Sequence, residues 1–138
     1  MARKAIAVER ISVKRDRISL LVRVAPGARR YAWPKLANQV VDAFPDLAYH
    51  ACVNDSGARF VDVLQSTSIP HVLEHLVIDL QVHDSRVPED VALVGSTEWI
   101  CEADGLARVE VDYTDDLVAL SALREALAFL NEWMATDL

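Results

Sequence analysis

The stretch His71-Val72-Leu73-Glu74-His75-Leu76-Val77-Ile78-Asp79-Leu80-Gln81 holds the residue types of this chain best suited to chemistry. On a helix at 100° per residue, His71 and His75 stand one turn apart, about 6 Å along the axis, and Glu74 falls on the same stripe. Val72, Leu73, Leu76, Val77 and Leu80 take the opposite side, and Ile78 alone intrudes on the polar stripe. Two imidazoles so placed can both reach one Zn²⁺ ion at bond lengths of roughly 2 Å. Zinc would supply a Lewis acid and a nucleophile near neutral pH, and Glu74 would act as the catalytic base that moves the proton. The spacing therefore predicts a helix with one side in the core and two histidines and a glutamate facing a cleft.

The order His-x-x-Glu-His reverses the His-Glu-x-x-His arrangement and matches the inverzincin pattern. A third ligand must come from elsewhere in the fold. Glu98, Glu102, Glu110 and Asp112 lie on or near a later strand pair, and Glu98 and Asp112 are the two choices, between which spacing does not select. Asp79 lies one turn after His75, about 12 Å along the axis from His71, and suits orientation of the His75 ring better than ligation. His50 either joins it in supporting the site or caps a loop. His83 is too far down the helix, on another face. The same residues also admit a purely structural reading, as a core helix with its polar groups satisfied internally. The wholly apolar back of the helix favours the cleft.

Several alternatives are excluded or weak. There is no Gly-rich phosphate loop, so ATP chemistry is unsupported. Cys52 and Cys101 form no CxxC pair and read as core thiols, not as nucleophiles or a disulfide framework. Trp33, Trp99 and Trp133 each lie in an apolar-periodic element and read as packing residues.

The elements that must position the site follow from hydrophobic period and breakers. Ala5–Val13 and Ile18–Val24 read as antiparallel strands joined through Lys14-Arg15-Asp16-Arg17. Trp33–Phe44 has helical spacing, with Pro34 in the first turn and Pro45 closing it. Leu47–Val53 is ambiguous, Asn54-Asp55-Ser56-Gly57 is a turn, and Phe60–Leu64 allows a helical turn. Ser66-Thr67-Ser68 offers capping hydroxyls for a helix from about Pro70 to His83. Val91–Ile100 and Leu106–Tyr113 read as a second strand pair turning near Ala103-Asp104-Gly105. Asp115–Met134 is amphipathic, with Leu117, Leu120, Leu123, Leu127, Leu130 and Trp133 on one stripe and Asp115-Asp116 capping its start. Strand pair, helices, strand pair, helix implies an α+β fold, a mainly antiparallel sheet with helices packed on one face, in a single domain over residues 1–138.

Composition agrees with a compact protein: 138 residues, 52% hydrophobic and 25% charged. No apolar run reaches the roughly 18 residues of a membrane span, and no signal-peptide core follows the first residues, so a cytoplasmic protein is expected. The net charge is −7. Ten of the fourteen basic residues fall within the first 36 positions, alternating with Ile, Val and Leu. That pattern fits the solvated face of a hairpin, so no nucleic-acid partner is expected. The acidic remainder favours a cationic partner.

The chain resembles the N-terminal domain of cyanophycin synthetase, from about Pro26 and best from Pro45 to Met134. Carrying the resemblance are Pro45-Asp46-Leu47, His50-Ala51-Cys52, Phe60-Val61 with Leu64, Thr67, the helix His71 to Gln81, Gly95-Ser96-Thr97-Glu98, Gly105, Asp112-Tyr113 and the final helix. It implies a domain that holds a polymer of aspartate and arginine and that, in some members, cuts it at a zinc site with Glu74 as general base. The synthetase's ATP-dependent domains have no counterpart here. Asp79 and Asp112 each stand where a glutamate is usual, and an arginine common near Glu98 is missing. The expectation is a zinc-dependent, metallopeptidase-like hydrolase acting on amide bonds in an Arg-bearing peptide or cyanophycin-like polymer. One rival is a polymer- or protein-binding module without cleavage. Another is an interaction subunit that forms homo-oligomers through the last helix.

Overall fold

The computed structural model describes residues 4–50 and 59–136. Four strands, β1 (Ile6–Val13), β2 (Arg17–Val24), β3 (Gly95–Cys101) and β4 (Leu106–Asp112), form one antiparallel sheet in the order β1-β2-β4-β3. The second strand of each hairpin sits in the middle, with Ile18 opposite Val111 and Leu20 opposite Val109. Strand alternation sorts the side chains. Ile18, Leu20, Val22 and Val24 of β2 and Ala107, Val109 and Val111 of β4 are buried on one face. The other face carries Arg17, Arg23, Arg108 and Glu110, with Lys14 and Arg17 paired to Glu110. The expected α+β architecture, with one face of the sheet covered, is the one observed.

Three helices complete the chain: α1 (Pro34–Ala43), α2 (Ile69–Val82) and α3 (Asp116–Thr136). Short 3-10 turns, Pro45–Tyr49 and Phe60–Asp62, connect α1 to α2. Their starts follow their chemistry. Pro34 opens α1, Ser68 accepts a hydrogen bond from the His71 amide at the start of α2, and Asp115 accepts from the amides of Leu117 and Val118. Gly105 closes the β3–β4 turn at φ +70, where a β-carbon would collide with the Val24 carbonyl oxygen.

α2 packs against β2, β3 and β4 on one side and against α3 on another. It is buried almost all round, including Glu74, His75 and Asp79. The stripe expected to face a cleft is largely buried, with Phe60 packed on the His71 and His75 rings, but His71, Glu74 and His75 still border a cavity. Phe60 stacks on the His75 ring at 3.9 Å between centroids and meets His71 edge-on at 5.1 Å.

Other differences are local. β3 begins at Gly95, not Val91. Pro45–Tyr49 of the ambiguous stretch is a 3-10 turn. Leu117 is 69% exposed, because α3 turns Val118, Ala119, Ala122, Leu123 and Ala126 inward and Leu117 falls on the opposite side of the helix. Trp33 is buried, and Trp99 and Trp133 pack partly buried against the core, as expected. Cys52 and the Asn54–Gly57 turn lie outside the described residues. No helix among the described residues is long and apolar enough to cross a membrane.

Candidate metal centre

α2 brings His71, Glu74 and His75 together, with ligand atoms all within 4.8 Å of one another. The two Nε2 atoms are 3.2 Å apart. Two nitrogens bound about 2.05 Å from one tetrahedral ion would stand roughly 3.3 Å apart, so the pair is already spaced as metal ligands are. Glu74 presents Oε2 at 3.6 Å from His75 Nε2 and Oε1 at 4.0 Å from His71 Nε2.

Each group is held from behind. The Thr97 hydroxyl, reaching in from β3, donates to Glu74 Oε1 at 2.7 Å. Thr67 Oγ1 is 2.8 Å from His71 Nδ1. His50 lies between two residues of α2: its Nε2 is 3.2 Å from Asp79 Oδ1 and its Nδ1 is 3.0 Å from His75 Nδ1. A carboxylate only accepts, so in the tautomer that carries its single ring proton on Nε2, His50 donates to Asp79 and accepts at Nδ1 from His75. That leaves the lone pair of His75 on Nε2, aimed at His71 and Glu74. Asp79 therefore acts on His75 through His50, not by the direct contact that the helical spacing suggested.

Burial sets the protonation states. It pushes the Glu74 carboxyl up to about 7, against the smaller lowering effects of the Thr97 hydrogen bond and His50. It holds His75 down at about 3, helped by the neighbouring His71 and His50, and lowers His71 as well. Both imidazoles are accordingly neutral at pH 7, the form a metal requires, while Glu74 titrates where a proton carrier is most effective.

The two candidate third ligands are placed elsewhere. Glu98 follows Thr97 on β3, so alternation turns it to the opposite face of the sheet, where its side chain is 66% exposed and bonded to Arg108 across the ladder. Asp112 shares that outer face, and its Oδ2 accepts from the Val94 amide at 3.1 Å. Neither joins the His71–Glu74–His75 group. His83 stands clear of the group too, but it bonds the Asp79 carbonyl and Asp46, and these raise its pKa, Asp46 foremost.

Sequence reasoning missed Thr97 and Gly95 as parts of the site. Both sit on the helix-facing side of β3, two residues apart, which strand period alone would have shown once β3 was placed beside α2. Gly95 is there because nothing larger fits: a β-carbon would lie 2.7 Å from Glu74 Cγ and 2.9 Å from the Glu110 carbonyl oxygen. The cluster opens on a cavity of about 840 Å³ between α2 and the segment 91–97, with Ile78, Val82 and Leu93 among its walls.

Comparison with curated proteins and with solved structures gives no match. The family model of the cyanophycin synthase-like N-terminal domain matches residues 26–135, a span that holds every residue of the cluster and leaves β1 and β2 ahead of it. The chain belongs to the cyanophycin synthase-like N-terminal domain family.

Proposed function

We propose that this domain is a zinc-dependent, metallopeptidase-like hydrolase of amide bonds. The observation that carries the reading is the 3.2 Å spacing of the His71 and His75 Nε2 atoms with the Glu74 carboxylate beside them at a cavity wall. The residues fit the metal: the His71 and His75 Nε2 atoms stand at ligand spacing as two imidazole donors, and the Glu74 carboxylate lies beside them, placed for the base. When bound, zinc would supply Lewis-acid polarisation of a carbonyl and of water.

The chain's own residues supply the rest. His71 and His75 hold the metal, and Thr67 and His50 fix their rings. Glu74 takes a proton from the attacking water and delivers it to the departing nitrogen. Hydroxyl adds to the acyl carbon, the C–N bond breaks, and the amine leaves with the proton. Thr97 keeps Glu74 turned to the cavity.

The substrate class follows from charge and family: an Arg-bearing peptide or a cyanophycin-like polymer, attracted by a chain that is strongly acidic beyond its first 36 residues. We assign the protein to the cytoplasm and to no nucleic-acid or membrane partner. The second reading, a module that holds polymer or protein without cutting it, draws on one observation: Glu98 and Asp112 both turn away from the histidines.

Turnover of Arg-bearing polymer by zinc-loaded wild type and Glu74→Gln decides between them. The hydrolase reading expects cleavage that the variant loses by about 100-fold or more while still binding polymer. Polymer binding with no cleavage by either protein would leave the binding module.

A further inference from the structure

Seven consecutive residues, 91–97, all line the cavity beside the His71–Glu74–His75 cluster. In a strand, neighbouring side chains point to opposite faces, so Gly95, Ser96 and Thr97 can border one cavity together only if the strand's backbone edge forms the wall. Among the described residues that edge has no partner, because β3 ends the sheet and no described strand pairs with its outer side. The Asp112 amide donates to the Val94 carbonyl, so Val94 and Ser96 turn their backbone groups toward β4. Gly95 and Thr97 therefore turn their N–H and C=O outward, along the cavity.

The edges of this sheet are treated differently. On the other border, β1 carries Glu9 and Arg10 at a register shift, a common way of blunting an edge. β3 shifts register only past Trp99, and its cavity-side stretch Gly95-Ser96-Thr97 is uncharged. Edge backbone groups with no partner among the described residues, beside a reactive cluster, are what an extended peptide satisfies by adding as a further strand.

We propose that the substrate is an extended polypeptide that docks on the outer edge of β3, bonding the backbone of Gly95 and Thr97, with an apolar side chain next to the scissile amide. The apolar preference comes from Ile78, Val82 and Leu93. Among the described residues Glu74 is the sole carboxylate lining the cavity, so no second acid there pairs a buried guanidinium. Basic residues of the substrate belong further out, where exposed Glu89 and Asp90 precede the lining segment and complement their charge. This deepens the hydrolase reading and rests on its choice of site.

Peptide binding to the metal-free 138-residue chain tests the docking apart from any cleavage. The probes are acetyl-Arg-Ala-Leu-Val-Leu-Ala amide, the same peptide N-methylated at Val, the same with Val replaced by Asp, and an Asp/Arg polymer. Amide exchange read by NMR should slow by about tenfold or more at Gly95 and Thr97 and stay unchanged at Ser96. Either modification should weaken binding by about tenfold. The inference is overturned if the peptide does not bind, if it binds with exchange at Gly95 and Thr97 unaltered, or if the Asp/Arg polymer alone binds. Zinc-loaded protein that shows edge protection yet never cuts the peptide contradicts the hydrolase reading instead, and leaves the docking edge standing.

Discussion

The Nε2 atoms of His71 and His75 lie 3.2 Å apart, one helical turn separating the residues that carry them. Nothing in an α-helix alone brings two imidazole nitrogens so close. Here Thr67 holds one ring, His50 holds the other, and Phe60 closes over both. A pair of neutral imidazoles set at ligand spacing is organised before any ion arrives.

Removing either ring should therefore abolish stoichiometric zinc binding. His71→Ala and His75→Ala are expected to weaken zinc by more than the ~100-fold that bounds the effect of a residue acting through a ligand. Competition with a chelator of known affinity measures this, and circular dichroism checks that the fold persists.

His50→Ala and Asp79→Asn should lie within about 10–100-fold weaker zinc affinity, because each removes support for the His75 tautomer and not a ligand. The visible spectrum of the Co²⁺-substituted protein gives an independent reading of the altered ring. Unchanged affinity and spectrum in both variants would show that the His50 contacts are packing alone.

Much of this was legible in the sequence, and the failures have a common cause. Hydrophobic period and breakers located every strand and helix to within a few residues, because Pro34, Pro45, Ser68 and Gly105 punctuate locally. The histidine pair and Glu74 were legible because they share one helix. What spacing could not supply was the partner across a tertiary contact. Glu98 was a plausible ligand by type, yet one residue's difference in strand register puts Thr97, not Glu98, against Glu74. Asp79 was matched to His75 along the helix, while the contact runs through His50 from another element.

Gly95→Ala should destabilise the protein by about 1–3 kcal/mol, the range for forcing a methyl group into packed space, since its β-carbon would meet Glu74 and the Glu110 backbone. Urea unfolding measures the loss. Because Glu74 is the group displaced, the variant should also lose more turnover than a comparable destabilisation elsewhere in the fold.

Glu74→Gln should raise the stability of the metal-free protein at pH 8 by about 1–3 kcal/mol. The Glu74 pKa is raised to about 7 by burial, so the ionised carboxylate at pH 8 is less stable folded than unfolded, and the amide removes that cost. Below about pH 4.5 the carboxyl is protonated in both states and the gain should vanish.

His75 produces the opposite slope. Its folded pKa, about 3, lies below the unfolded value of about 6.5. As pH falls from about 6.5 toward 3, the unfolded chain takes up a proton that the folded one does not, and metal-free protein loses stability. The loss attributable to His75 approaches about 1.4 kcal/mol per pH unit. Urea titrations of wild type and His75→Gln should differ by that slope below pH 6 and converge above pH 7.

The most direct measurement is a crystal structure grown with zinc, with anomalous scattering collected at the zinc edge. One ion per chain is expected, about 2.0–2.1 Å from both the His71 and His75 Nε2 atoms and next to the Glu74 carboxylate. Saturating zinc with no anomalous peak between those two nitrogens would contradict the metal centre and the chemistry built on it.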